Sequence, residues 1–111
     1  NLTFGSDWDV TPLNPLLGIY AAVTRKTLDG SNPEGWNPEQ KLTVEEAIAC
    51  YTKNNSYAVF SEDKLGVLQK GMFADFVVLS NDITSIKVDD ILKTRVLKTI
   101  YNGKEVFRAF N

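Results

Sequence analysis

Residues Leu2–Lys26 read LTFGSDWDVTPLNPLLGIYAAVTRK. Leu2–Phe4 is a short apolar run suited to a strand, and Gly5 stops it. Asp7 and Asp9 follow around Trp8. Pro12 and Pro15 suit a loop and a first helical turn, with Asn14 able to cap ahead of Pro15. Leu13, Leu16, Leu17, Tyr20 and Thr24 then recur at helical spacing. Arg25 and Lys26 fall where cations suit the end of a helix dipole. The stretch thus predicts strand, turn and helix, with two carboxylates at the turn. Taken alone, an acid there is by default a turn or helix-entry residue.

A Gly-, Pro- and Asn-rich loop, 28–40, leads to a second helix expected over Thr43–Asn54. Thr43 and Glu46 have capping-box spacing, and Val44, Ala47, Ile48 and Tyr51 make the apolar stripe. Asn54 and Asn55 read as its end, and Tyr57–Phe60 as one more short turn. Beyond Ser61–Leu65 the pattern changes. Strands are expected at Gly66–Leu68 and Asp75–Ser80, with a turn at Gly71. "FVVL", 76–79, is continuous and β-branched, as in a strand covered on both faces. Val88–Leu92 suits a helical turn. Val96–Tyr101 and Lys104–Phe107 flank Asn102-Gly103, a strong hairpin signal.

Two pieces result, 1–60 and 61–111, and neither closes. The first has one strand without a neighbour, and an isolated strand is not stable. The second has about four strands and too few helices to cover them. The expected class is an α+β fragment of something larger.

Composition narrows the function. The chain has 111 residues, 43% of them hydrophobic, with a net charge of -2, which fits one small folded domain and excludes a basic nucleic-acid stripe. No apolar run approaches a membrane span. Cys50 is the single cysteine, so there is no internal disulfide; it suits a buried small residue. The lone cysteine and the lack of a visible signal point to the cytoplasm. There is no histidine, hence no imidazole base or ligand.

The segments "GSDWDVTPLNPLLGIYAAVTR", "LTVEEAIACYT", "LGVLQKGMFADFVVLSND" and "VLKTIYNGKEVF" occur in that order. Together they resemble the C-terminal end of the amidohydrolase superfamily, in the branch called amidohydrolase family three, related to N-substituted formamide deformylases. The resemblance implies a TIM (β/α)8 barrel with a metal at the C-terminal ends of its strands. Residues 1–60 would be strand eight and the helices after it. Residues 61–111 would be the C-terminal part of a small composite β-sandwich. By its place in "GSD", Asp7 is similar to the family's active-site carboxylate. That residue binds the metal, takes a proton from the attacking water and passes it to the leaving nitrogen.

The expected activity is therefore metal-dependent hydrolysis of an amide-type carbon–nitrogen bond in a small molecule. The family's remaining ligands, His-x-His and further His, have no counterpart here. A zinc site needs three or four ligands, so the chain alone is expected to hold no metal tightly and to be inactive. Asp9 stands where the family carries Pro. In extended backbone Asp7 and Asp9 would share a face and repel unless a cation lay between them. Trp8 and Asp9 are the further candidates near the substrate, although Trp8 suits packing equally and Asp9 suits a loop acid. Asp75 resembles a structural residue bonding a turn. The alternative function is a free-standing, non-catalytic α+β module that pairs its exposed strands with another chain. Self-association, or pairing with the missing N-terminal part, is expected in either case. An unrelated α+β binding domain is the third reading.

Overall fold

In the computed structural model, which describes residues 1–110, Asn14 begins the first helix as the sequence suggests. Its side chain accepts from the Leu16 N–H at 3.0 Å, and Pro15 takes the first helical position. Helix α1 is Pro15–Thr24. It ends one residue before the expected cations. Arg25 adopts the left-handed conformation, φ 60°, and its N–H donates to the Ala21 carbonyl, a cap that satisfies a terminal acceptor. The Arg25 guanidinium lies 5.1 Å from the Trp36 ring centroid, and its Nε donates to the Trp36 carbonyl. Arg25 therefore ties the 28–40 loop to the helix end.

Thr43 and Glu46 form the full capping box of α2, Val44–Tyr51. The helix expected to run on to Asn54 instead breaks at Thr52, φ -128° and ψ -90°, and restarts as α3, Lys53–Ala58. The Thr52 N–H donates to the Ala49 carbonyl and its hydroxyl to the Ile48 carbonyl. Cys50 is buried, as its small apolar character suggested.

The sheet has three antiparallel strands in the order β1 Phe76–Leu79, β2 Val96–Tyr101 and β3 Lys104–Arg108. Val77 opposes Thr99, and Thr99 opposes Phe107. The β2–β3 turn has positive φ at both Asn102 (47°) and Gly103 (74°), as a two-residue hairpin of this hand requires. The Asn102 N–H donates to Asp75 Oδ1 at 2.6 Å, the structural role expected of Asp75. A 3-10 turn, Val88–Lys93, occupies the expected helical turn.

Three expectations are corrected. Leu2–Phe4 is not a strand, because no neighbouring strand lies beside it among the described residues. Gly66–Leu68 is irregular: Gly66, at φ 93°, bends the chain against α3. The "FVVL" strand is not covered here, Val77 being 50% exposed, because no pair of described elements packs on both of its faces. The hydrophobic core is one cluster of Leu16, Ile19, Tyr20, Val23, Ala47, Ile83 and Ile91. It joins α1 and α2 to the segments flanking the sheet.

Gly66 shows how tightly the irregular segment is held. A Cβ there would lie 2.5 Å from Ser56 Oγ and 2.9 Å from Lys53 Cα. Gly71 has a similar φ of 95° with nothing within 4 Å. Both Ala substitutions meet the backbone strain of positive φ, but only Gly66→Ala also overpacks. We expect Gly66→Ala to lose about 2–3 kcal/mol in urea unfolding, and Gly71→Ala only about 1 kcal/mol. Equal losses would show that the approach to α3 is loose.

Candidate functional site

Asp7 sits in a turn between the Leu2–Phe4 segment and α1. It has φ 49°, and its carbonyl accepts from the Val10 N–H at 2.7 Å. The extended backbone expected from Asp7 to Asp9 is therefore absent. The chain reverses over 7–10, so the argument that both acids share a strand face does not apply. The reason is local. Ser6 Oγ donates to the Leu13 carbonyl and the Thr11 hydroxyl donates to the Ser6 carbonyl, closing the loop across its base. Asp7, Trp8 and Asp9 are all exposed at its tip, Trp8 at 70%.

The segment before the turn is held by the broken helix. The Phe4 N–H donates to the Cys50 carbonyl at 3.0 Å. Asn54 Nδ2 donates to the Leu2 carbonyl at 2.7 Å, and Asn55 Nδ2 to the Phe4 carbonyl at 2.9 Å. The Phe4 ring meets Tyr51 edge-on at 5.5 Å. Burial pushes the Tyr51 phenol up, so it is neutral at physiological pH. Sequence reading took Asn54 and Asn55 only as helix terminators. Their contact with residues about fifty positions away left no local signal.

The residues present do not fit a metal ion by themselves. No group of three or more His, Cys, Asp or Glu able to hold one occurs among the described residues. The Asp7 carboxylate is exposed and makes no side-chain hydrogen bond or ion pair among the described contacts. A wide apolar cleft of about 580 Å3 opens elsewhere, between α1, α2 and the sheet, where Leu16, Ile19 and Ile48 face Val77, Leu79 and Val96. No helix is long and apolar enough to cross a membrane among the described residues.

Comparison with known proteins shows the family to which the chain belongs. The sequence pattern described as "Amidohydrolase family" matches residues 1–107. The protein YtcJ of Bacillus subtilis (strain 168) is 37% identical over 103 residues, which are 93% of this chain and 20% of that protein. The N-substituted formamide deformylase of Arthrobacter pascens is 26% identical over 102 residues, 92% of this chain and 18% of that protein. In three dimensions the chain is similar to part of an amidohydrolase from Thermotoga maritima MSB8. The TM-score is 0.63 with 24% identity, over 93% of this chain and 22% of that one. The chain thus spans about a fifth of the length of the curated relatives it matches.

Proposed function

The chain belongs to the amidohydrolase family, and from this we propose that it forms one part of a metal-dependent hydrolase of small-molecule amide-type bonds. The carrying observation is a family match over residues 1–107 that includes a loop presenting Asp7 with its carboxylate exposed. In this reading residues 1–60 complete a (β/α)8 barrel and 61–111 contribute to a composite β-sandwich. Asp7 accepts a proton from the attacking water and returns it to the leaving nitrogen, a role a carboxylate performs within hydrogen-bond reach. A divalent metal, zinc being the choice for such a site, would polarise the water. Its other ligands must come from residues outside those described. Trp8 and Asp9, on the same tip, would line the substrate side.

The uncovered sheet calls for a partner under either reading. Val77, Val106 and Phe107 are 50%, 60% and 49% exposed, and among the described residues neither outer strand pairs with a further strand. Such surfaces demand a partner. We propose that it is the rest of the hydrolase, on the same polypeptide or on another. The alternative, a non-catalytic module that buries these strands in a different chain, rests on the same surface without using Asp7.

A chimaera separates them. This chain would replace the matching segment of the Arthrobacter pascens deformylase, and formate release from an N-substituted formamide would be measured. Hydrolysis that disappears on chelation and returns with zinc supports the hydrolase. A folded, metal-loaded chimaera with no turnover supports the module.

A further inference from the structure

Asn102-Gly103 is a chemically vulnerable pair. A glycine after an asparagine leaves its own backbone nitrogen unshielded, and that nitrogen can attack the asparagine side chain. Both residues are exposed, at the tip of the β2–β3 hairpin. Tyr101 opposes Lys104 across this turn. The two residues between them lie outside the ladder, so their N–H groups need partners elsewhere. The approach to β1 supplies both. The Asn102 N–H donates to Asp75 Oδ1 at 2.6 Å, and the Gly103 N–H donates to the Ala74 carbonyl at 3.0 Å. The grip lies within the three-stranded sheet and is independent of the reading of Asp7.

We propose that Asn102 is a latent deamidation site, held shut by Asp75 and Ala74. In the reaction the Gly103 nitrogen gives up its proton and bonds to Asn102 Cγ. The Cγ–Nδ2 bond breaks, and ammonia leaves with that proton. The cyclic imide takes up one water and opens at either carbonyl, to aspartate or isoaspartate. The first step is the one the structure opposes. The proton that must leave is held on the Ala74 carbonyl oxygen, and the Asp75 carboxylate disfavours a second negative charge in the same turn. The nitrogen must also turn away from Ala74 to reach Cγ, and Asp75 opposes that movement by fixing the Asn102 backbone. Failure of the grip has a structural consequence. Isoaspartate adds a carbon to the backbone of the turn, and aspartate sets a carboxylate near Asp75. Either product loosens the turn that returns β3 to β2.

The test incubates the 111-residue chain and the free peptide Thr99–Glu105 side by side at mildly alkaline pH, and mass spectrometry of the digested samples reads conversion at Asn102. The folded chain should convert at least about tenfold more slowly than the peptide, and Asp75→Ala should convert about tenfold faster than the unaltered chain. Asp75→Asn keeps an acceptor oxygen and should fall between the unaltered chain and Asp75→Ala. Ile91→Val, which loosens the core elsewhere, should match the unaltered chain. A second reading needs no variant and decides the matter if Asp75→Ala fails to fold: in the unaltered chain the Asn102 and Gly103 amides should exchange with solvent at least about tenfold more slowly than in the peptide. Conversion or amide exchange at the peptide's rate in the unaltered chain overturns the proposal. So does a folded Asp75→Ala that converts no faster than Ile91→Val.

Discussion

On the proposed reading, Asp7→Asn is expected to lower kcat of the chimaera by about 10²–10⁴-fold, the range typical for loss of a general acid–base group. Stability should stay within about 0.5 kcal/mol, because Asp7 is exposed and away from the core. The amide keeps the shape and the loop bonds, which run through the Asp7 carbonyl and through Ser6 and Thr11. What it loses is the ability to take a proton. Asp9→Asn, at the same tip, is the control, and should change kcat only a few-fold. The measurement is formate release by the chimaera, with thermal unfolding recorded alongside. Equal losses at Asp7 and Asp9 would mean that the tip's total charge matters rather than one proton carrier. No loss at Asp7 would remove it from the chemistry.

The second large effect is on stability. Ile91 is 0% exposed, on the 3-10 turn that precedes β2. It packs into the cluster with Leu16, Ile19, Tyr20 and Val23 of α1. Truncation to Ala removes three carbons from a site with few ways to collapse, because the turn is pinned at both ends. The Lys87 carbonyl accepts from the Asp90 N–H, and the Thr94 N–H donates to the Ile91 carbonyl. We expect Ile91→Ala to lose about 2–5 kcal/mol and Ile91→Val about 0.5–1.5 kcal/mol in urea unfolding. A small domain has only about 5–15 kcal/mol in total, so the larger loss approaches unfolding. A loss below about 1 kcal/mol for the Ala variant would show a site able to refill.

Local chemistry made much of the fold legible. Asn14-Pro15, the Thr43–Glu46 box and Asn102-Gly103 each encode their structure in adjacent residues, and each appears as read. Asp75 and Cys50 likewise take the structural roles their settings suggested. The misreadings share one physical source. Leu2–Phe4 has strand composition, but a strand exists only beside a partner, and here helix side chains supply the bonds. "FVVL" has the composition of a doubly covered strand and lies half-open. These residues are suited to neighbours that the described chain does not contain. The kink at Thr52 and the left-handed Arg25 were hidden for another reason. Nothing in their types demands them, and long-range contacts decide. The proposal for Asp7 rests only on the order and spacing of several segments, since an isolated acid in a turn carries no such information. The contacts of Asn54 and Asn55 with Leu2 and Phe4 were not legible at all.

Metal content of the purified chain gives the most direct test. A carboxylate alone cannot make a site that needs three or four ligands, and no further cluster exists among the described residues. After zinc loading and dialysis, elemental analysis of the 111-residue chain should therefore find far less than one zinc per chain, with Asp7→Asn giving the same value. One zinc per chain that survives dialysis, and is lost in Asp7→Asn, would contradict the reading of Asp7 as one ligand of a centre whose other ligands come from elsewhere.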